Sequence, residues 1–224
     1  YQNYSDNDCH IENWVEEFNH ENNTSISDEN TVHRVKRFND TFHNEAVIGK
    51  LGVTGKPWAD RLMFGFAYSH FYKEIQNGVY QEIMFGEKHR HGHSFVPSVE
   101  YRKRDLLVKG LDVMATANYN HNLTTNVDTA MYKYNWFGDR MPKRTAGEQS
   151  NQYSEQKNTN WNATFTLNYR IGDIHTLTFN HVFSSFRRTG RSLIPTNSKL
   201  ENYDVPTRTH KNISGLSYRL MPSE

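Results

Sequence analysis

Between Trp161 and Arg170 the chain alternates without a break. Trp161, Ala163, Phe165, Leu167 and Tyr169 are apolar or aromatic, and Asn162, Thr164, Thr166, Asn168 and Arg170 are polar. Successive strand side chains point to opposite faces, so this period predicts a β-strand with one apolar and one wet face. Aromatics close both ends of the apolar row, and the span matches the ~9–11 residues a tilted strand needs to cross a bilayer. Six further segments carry the same period. His43–Val53 sets Val47, Gly49, Leu51 and Val53 on one face. Leu62–Gln76 sets Leu62, Phe64, Phe66 and Tyr68 against Gly65, Ala67 and Ser69. Phe95–Arg102 opposes Val99 and Tyr101 to Ser98 and Glu100, and Leu107–His121 opposes Leu111, Val113, Ala115, Ala117 and Tyr119 to Asp112, Thr116 and Asn118. His175–Phe186 and Lys211–Leu220 complete the set, with Leu177, Phe179 and Phe183, then Leu216, Tyr218 and Leu220, on their apolar faces.

The connections sort by length. Gly55–Asp60, Lys103–Asp105 and Ile171–Asp173 are short, with Gly, Pro and Asp punctuation, as hairpin turns require. Asn77–Ser94, Asn122–Asn160 and Arg187–His210 are long. Short and long alternate strictly, so in an antiparallel meander every short turn falls at one end. Short periplasmic turns opposite long extracellular loops are the layout of outer-membrane barrels, whereas a soluble sandwich has no physical reason to sort its loops by end. Residues 1–42 are polar and lack the strand period; Ile11, Trp14, Val15 and Phe18 are spaced for a short amphipathic helix there. Residues 1–42 therefore read as an extracellular loop segment, and 43–224 as wall strands with alternating turns and loops.

Composition sharpens the picture. Apolar residues are 35% of the 224, against about 45–50% in soluble domains, while aromatics at 13% are too many for a disordered chain. The apolar residues are thus few, large and placed on one face. A net charge of +1 carries no broad attraction for nucleic acid. One cysteine, Cys9, excludes an internal disulfide framework and a multi-cysteine zinc site. No apolar run is long enough for a transmembrane helix, which does not bear on a β-barrel. Both ends read as cuts within a longer protein.

Several stretches carry a likeness: Gly52-Val53-Thr54-Gly55-Lys56-Pro57-Trp58, Tyr101 with Gly110-Leu111-Asp112, Asp128-Thr129, Tyr134-Asn135-Trp136-Phe137-Gly138, Gly147-Glu148-Gln149, and Asn168-Tyr169 before His175-Thr176-Leu177. From about residue 43 onward the chain resembles the barrel portion of TonB-dependent outer-membrane receptors of the Bacteroidetes type. The resemblance implies an all-β, antiparallel up-and-down meander of about seven strands forming part of a large transmembrane barrel, about 22-stranded in that family. It implies uptake of a scarce nutrient (iron chelate, cobalamin, glycan or peptide) bound at outer loops, in the cell outer membrane. Its partners would be outer-membrane lipid, the remaining strands and plug of the parent protein, and a TonB complex reached through that plug. The chain departs from the family in lacking a recognisable plug or TonB-contacting segment.

Candidate chemistry is sparse. His89, His91 and His93 would share a face in an extended segment and could ligate a metal, but Lys88 and Arg90 oppose a cation, and a solvated loop is the favoured reading. Tyr132, Tyr134, Trp136 and Phe137 crowd the longest loop. They could stack on a ligand, though anchoring the loop or forming an interfacial girdle is favoured. Arg187, Arg188 and Arg191 follow the sixth strand into a loop and suit carboxylate or phosphate groups; a solvated cluster is the commoner outcome. His181 is the one awkward residue on an apolar face. No hydrolase, zincin, Walker or dinucleotide motif occurs, and Glu16-Glu17 near His10 and His20 reads as solvated charge. No catalytic residue, cofactor or metal is assigned, and the ligand-binding residues stay unidentified. Asn39, Asn122 and Asn162 begin N-x-[ST] sequons that chance explains. The competing class is a secreted or surface β-sandwich that binds glycan or protein.

Overall fold

The structure is a computed structural model that describes residues 2–5, 8–10, 34–78, 83–172, 174–194 and 205–221. The region of the expected helix around Ile11–Phe18 lies outside the described residues. The strands are β1 (Gln2–Ser5), β2 (Asp8–His10), β3 (Arg34–Lys36), β4 (Thr41–Lys56), β5 (Ala59–Glu74), β6 (His89–Lys103), β7 (Leu111–Asp128), β8 (Tyr132–Tyr134), β9 (Arg140–Pro142), β10 (Gln152–Ile171), β11 (His175–Ser192) and β12 (Thr207–Leu220). One antiparallel sheet runs in the order β1-β4-β5-β6-β7-β10-β11-β12, while β2-β3 and β8-β9 form two small ribbons. The seven long strands are the seven expected ones, joined as an up-and-down meander. Among the described residues β1 and β12 are the two ends of the sheet and do not pair with each other, so this sheet is open.

The strands outrun their sequence signal at the long-loop end. β10 covers 20 residues and β7 covers 18, where alternation marked only Trp161–Arg170 and Leu107–His121. The extra residues, such as Gln152–Asn160, are polar on both faces, so they carry ladder hydrogen bonds without a hydrophobic period. The long connections shrink accordingly to 75–88, 129–151 and 193–206. At the other end the expected three-residue turn after β6 is instead the segment 104–110. Leu107 is no strand residue; it sits there at φ 68° and is 91% exposed. Asp105 accepts from Gly110 N at 2.6 Å and Asp112 accepts from Asp105 N at 3.2 Å, which closes this longer turn. Residues 1–42, expected to hold no strand, contribute β1, β2 and β3; β1 pairs with the start of β4, from Gln2↔Asn44 to Ser5↔Thr41.

The apolar core does not lie under the sheet. Of the buried hydrophobic residues, Met84, Phe85, Ala130 and Trp136 lie in the long connections, and Ala59 and Val113 lie in strands. The sheet instead holds together by ladder pairing and by side chains meeting across strands. Gly92 marks one of the tight backbone approaches. A Cβ there would stand 2.3 Å from the Leu123 carbonyl oxygen and 2.9 Å from the Phe71 ring. Gly92→Ala is therefore expected to cost about 1–3 kcal/mol through local overpacking, read as a lowered unfolding midpoint.

Candidate functional site

Register places every odd residue of β10 on one face with odd residues of β7, β6, β11 and β4 and even residues of β5 and β12. The row Leu62↔Tyr101↔Ala115↔Phe165↔His181↔Ser214 crosses six strands. This face carries Leu51, Phe64, Val99, Val113, Leu167, Phe179 and Leu216. Much of it is exposed: Leu51 is 68% exposed, Phe64 53% and Leu216 70%, while Val113 is buried. A ring contact chain crosses its upper margin, with Tyr68–His93 at 6.5 Å, His93–His121 at 6.3 Å, Tyr119–His121 at 6.3 Å and Tyr119–Trp161 at 4.6 Å. Tyr101, Tyr169 and Tyr218 stand along its lower margin. Tyr101 donates to the Trp58 carbonyl at 2.8 Å, and Tyr218 pairs with His175 at 2.7 Å. From Trp161 to Tyr169 the strand travels roughly 27 Å.

The upper margin steps down across the sheet. It passes from Tyr68 and Phe95 to Trp161, then to Phe183 and to Leu216, each nearer the short-turn end in the hydrogen-bonded rows. An apolar band that runs oblique to those rows is one crossed by tilted strands. His181 sits just inside this margin. Its ring lies 6.5 Å from Phe179 in stacked orientation, and Nδ1 reaches Ser214 Oγ at 2.8 Å. The awkward imidazole is thus satisfied by its direct cross-strand neighbour.

The opposite face is a polar ladder. Thr116 and Thr164 hydroxyls meet at 2.6 Å, Asn162 donates to Asn118 at 3.2 Å and accepts from Ser184 at 3.0 Å. Thr166 donates to Asn180 at 2.9 Å and Thr178 to Asn168 at 2.8 Å. Glu100 takes Lys50 at 3.4 Å and Arg61 at 3.3 Å, and Asp112 takes Arg170 at 3.4 Å. Side chains on this face answer one another across strands, which suits a hydrated surface.

At the long-loop end two carboxylates act in series. Asp128, 1% exposed, accepts from the backbone N–H groups of Glu148 (2.5 Å), Gln149 (3.0 Å) and Ser150 (3.1 Å). The Glu148 it positions accepts in turn from Gly86 (2.5 Å), Glu87 (2.9 Å) and Lys88 (2.9 Å). Lys88 Nζ lies 3.7 Å from Asp128 and 4.4 Å above the Phe85 ring. Asn39 donates to the carbonyls of Ile75, Phe85 and Lys88, and Gln76 accepts from Phe38 N and Asn39 N. The result ties the 129–151 connection to the 75–88 connection and to the start of β4. The sequence names Asp128 and Glu148 only within the family likeness and gives no sign of their coupling, because a carboxylate's partners twenty and sixty residues away leave no local pattern.

Burial lifts the Glu148 carboxyl above the usual carboxylate range, against the pull of its three N–H donors, and the Asp128 charge adds to the lift. A raised folded-state value means that folding favours the protonated form. That contribution is full below the ordinary carboxylate value of about 4.3 and is lost as pH rises through the elevated one. Protection of the 86–88 amides is expected to decline over that window, and Glu148→Gln, which keeps an acceptor but cannot ionise, to flatten the decline. Hydrogen-exchange protection factors across pH 4–7 provide the measurement.

The sequence candidates fall in different places. His89, His91 and His93 lie in β6, not in a loop, and share the apolar-side face, His93 within the aromatic row and His89 and His91 beyond it. Their nearest ring contacts are His89–His91 at 6.1 Å and Tyr72–His89 at 5.4 Å. Among the described residues no group of three or more His, Cys, Asp or Glu side chains could hold a metal ion. Tyr132 and Tyr134 form β8, and Trp136, 4% exposed, is buried in the loop core. Tyr134 donates to Glu87 at 2.7 Å and Arg140 covers the Tyr132 ring at 4.4 Å, so three of the four aromatics anchor the loop, while Phe137 is 41% exposed. Arg187, Arg188 and Arg191 lie in β11 rather than beyond it, and alternation divides them: Arg188 bonds Asn158 on the polar face, Arg191 pairs with Glu155 at 2.6 Å on the other. Asn39, buried and donating to three carbonyls, is no accessible sequon.

Comparison of the chain with protein-family models, with curated proteins and with solved structures gave no match.

Proposed function

We propose that the chain is a section of the wall of an outer-membrane β-barrel, belonging to a TonB-dependent transporter that takes up a scarce nutrient. The observation that carries the wall reading is the largely exposed apolar face, bounded along β10 by Trp161 and Tyr169 about 27 Å apart and backed by a hydrogen-bonded polar face. Outer-membrane barrels present an apolar band about 25 Å tall between aromatic girdles, and a polar interior. Large exposed apolar area on a water-soluble domain marks a surface meant to be covered, and among the described residues no second sheet packs on this one. Sorting of short and long connections supports the same orientation, with the Asp128–Glu148 loop core outside. The outer edge of β12 carries unpaired backbone groups among the described residues, and a neighbouring barrel strand would satisfy them.

The transporter assignment rests on the sequence resemblance. In that reading the chain contributes wall and outer loops, the nutrient meets the loop end, and the energy arrives through a plug and a TonB complex. The discriminating experiment is refolding with and without detergent. A wall section requires detergent or lipid, together with its neighbouring strands, to reach a folded, heat-modifiable form. A cooperatively folding, detergent-free monomer would overturn the reading in favour of a β-sandwich.

A further inference from the structure

On the apolar-side face, just beyond the aromatic row, Arg187 of β11 and Arg208 of β12 are direct cross-strand partners. Like charges directly opposite destabilise a sheet, since their Cβ atoms stand only about 5 Å apart. Lys157 of β10 pairs with Thr189 and is therefore the diagonal neighbour of Arg187 on the same face. Glu155 is also on this face, but it is engaged by Arg191 at 2.6 Å. Among the described residues Lys157, Arg187 and Arg208 have no acidic partner. All three are exposed. Trp161, paired with Ser185, lies one same-face position toward the short turns from the row of Arg187.

We propose that Lys157, Arg187 and Arg208 form a binding site for the phosphate of an anionic lipid headgroup. The proposal rests on the membrane-wall reading. That reading puts Trp161 at the bilayer interface, so the three cations fall at headgroup level, where the phosphates of anionic lipids lie. A bridging phosphate converts the Arg187–Arg208 repulsion into two charge-assisted contacts, with guanidinium forks suited to its oxygens. A soluble phosphate-bearing ligand would share this chemistry but would have no reason to sit beside an interfacial tryptophan on the outer wall.

The test uses the full protein purified in neutral detergent, with heat-modifiability on gels reporting folding. Retention of phosphatidylglycerol is compared with that of phosphatidylcholine, and inorganic phosphate serves as competitor. The expected result is preferential retention of phosphatidylglycerol, weakened roughly 30-fold in R187Q/R208Q at about 1 kcal/mol per arginine, with folding unchanged. Equal retention of both lipids by folded protein, or no loss in the double variant, overturns the site while leaving the wall reading intact. Displacement by inorganic phosphate at equal concentration overturns the lipid assignment. Failure of the protein, with its neighbouring barrel strands present, to fold in any detergent or bilayer overturns the wall reading and the site with it. If R187Q/R208Q misfolds, Lys157→Gln replaces it, with a loss of about fivefold expected and an unchanged affinity counting against the proposal.

Discussion

If the sheet is the membrane wall proposed above, Phe165→Arg and Leu167→Arg destabilise the folded, inserted protein by about 2–4 kcal/mol each, while Trp161→Arg costs markedly less. All five side chains from Trp161 to Tyr169 at odd positions share one face, so the differences along the strand report depth. Arginine at the middle of the band must bury its guanidinium in hydrocarbon. At the aromatic margin it reaches the interface, and the loss there is mainly the Tyr119–Trp161 ring contact, worth about 0.5–1.5 kcal/mol. A protein core behaves differently, because there the cost follows burial under the covering layer. Equilibrium unfolding from lipid vesicles gives the measurement, and equal costs at Phe165 and Trp161 would count against a lipid-facing wall.

Asp128→Ala is expected to open the outer-loop core. Removing one partner of a buried charged network costs about 3–5 kcal/mol, because the groups left behind stay desolvated. Here three N–H donors from 148–150 lose their acceptor, and Lys88 loses its nearby counter-charge. The effect should travel, since Glu148 is held in place by Asp128 and itself holds 86–88. Exchange of the 148–150 amides should rise by more than roughly 100-fold, and exchange of 86–88 should rise with it. Asp128→Asn, which keeps one acceptor oxygen, should give a smaller change. Unaltered protection at 86–88 in the alanine variant would mean that the two carboxylates are not coupled.

The two-faced character of the wall was legible because it is local. One residue's polarity against the next, repeated eight or ten times, sets which face each side chain takes, and all seven long strands appear where that alternation predicted them. Loop sorting was equally legible, being a matter of spacing. The signal failed where both faces turn polar. That is why His89–His93 and Arg187–Arg191 read as loop and prove to be strand, and why Gln152–Asn160 was not assigned to β10.

By itself, then, the sequence determined a meander of amphipathic strands with short turns at one end, an apolar band edged by aromatics, and the absence of a recognisable catalytic motif. Only the tertiary structure decided the register, and with it every relation between distant residues. It set Ser214 beside His181, divided Arg188 from Arg187 and Arg191, placed Arg208 opposite Arg187, and brought Asp128 and Glu148 into series. The physical reason is that cross-strand pairing is non-local: a one-residue slip would send each of these side chains to the other face, and nothing in the flanking residues alone records which partner stands opposite.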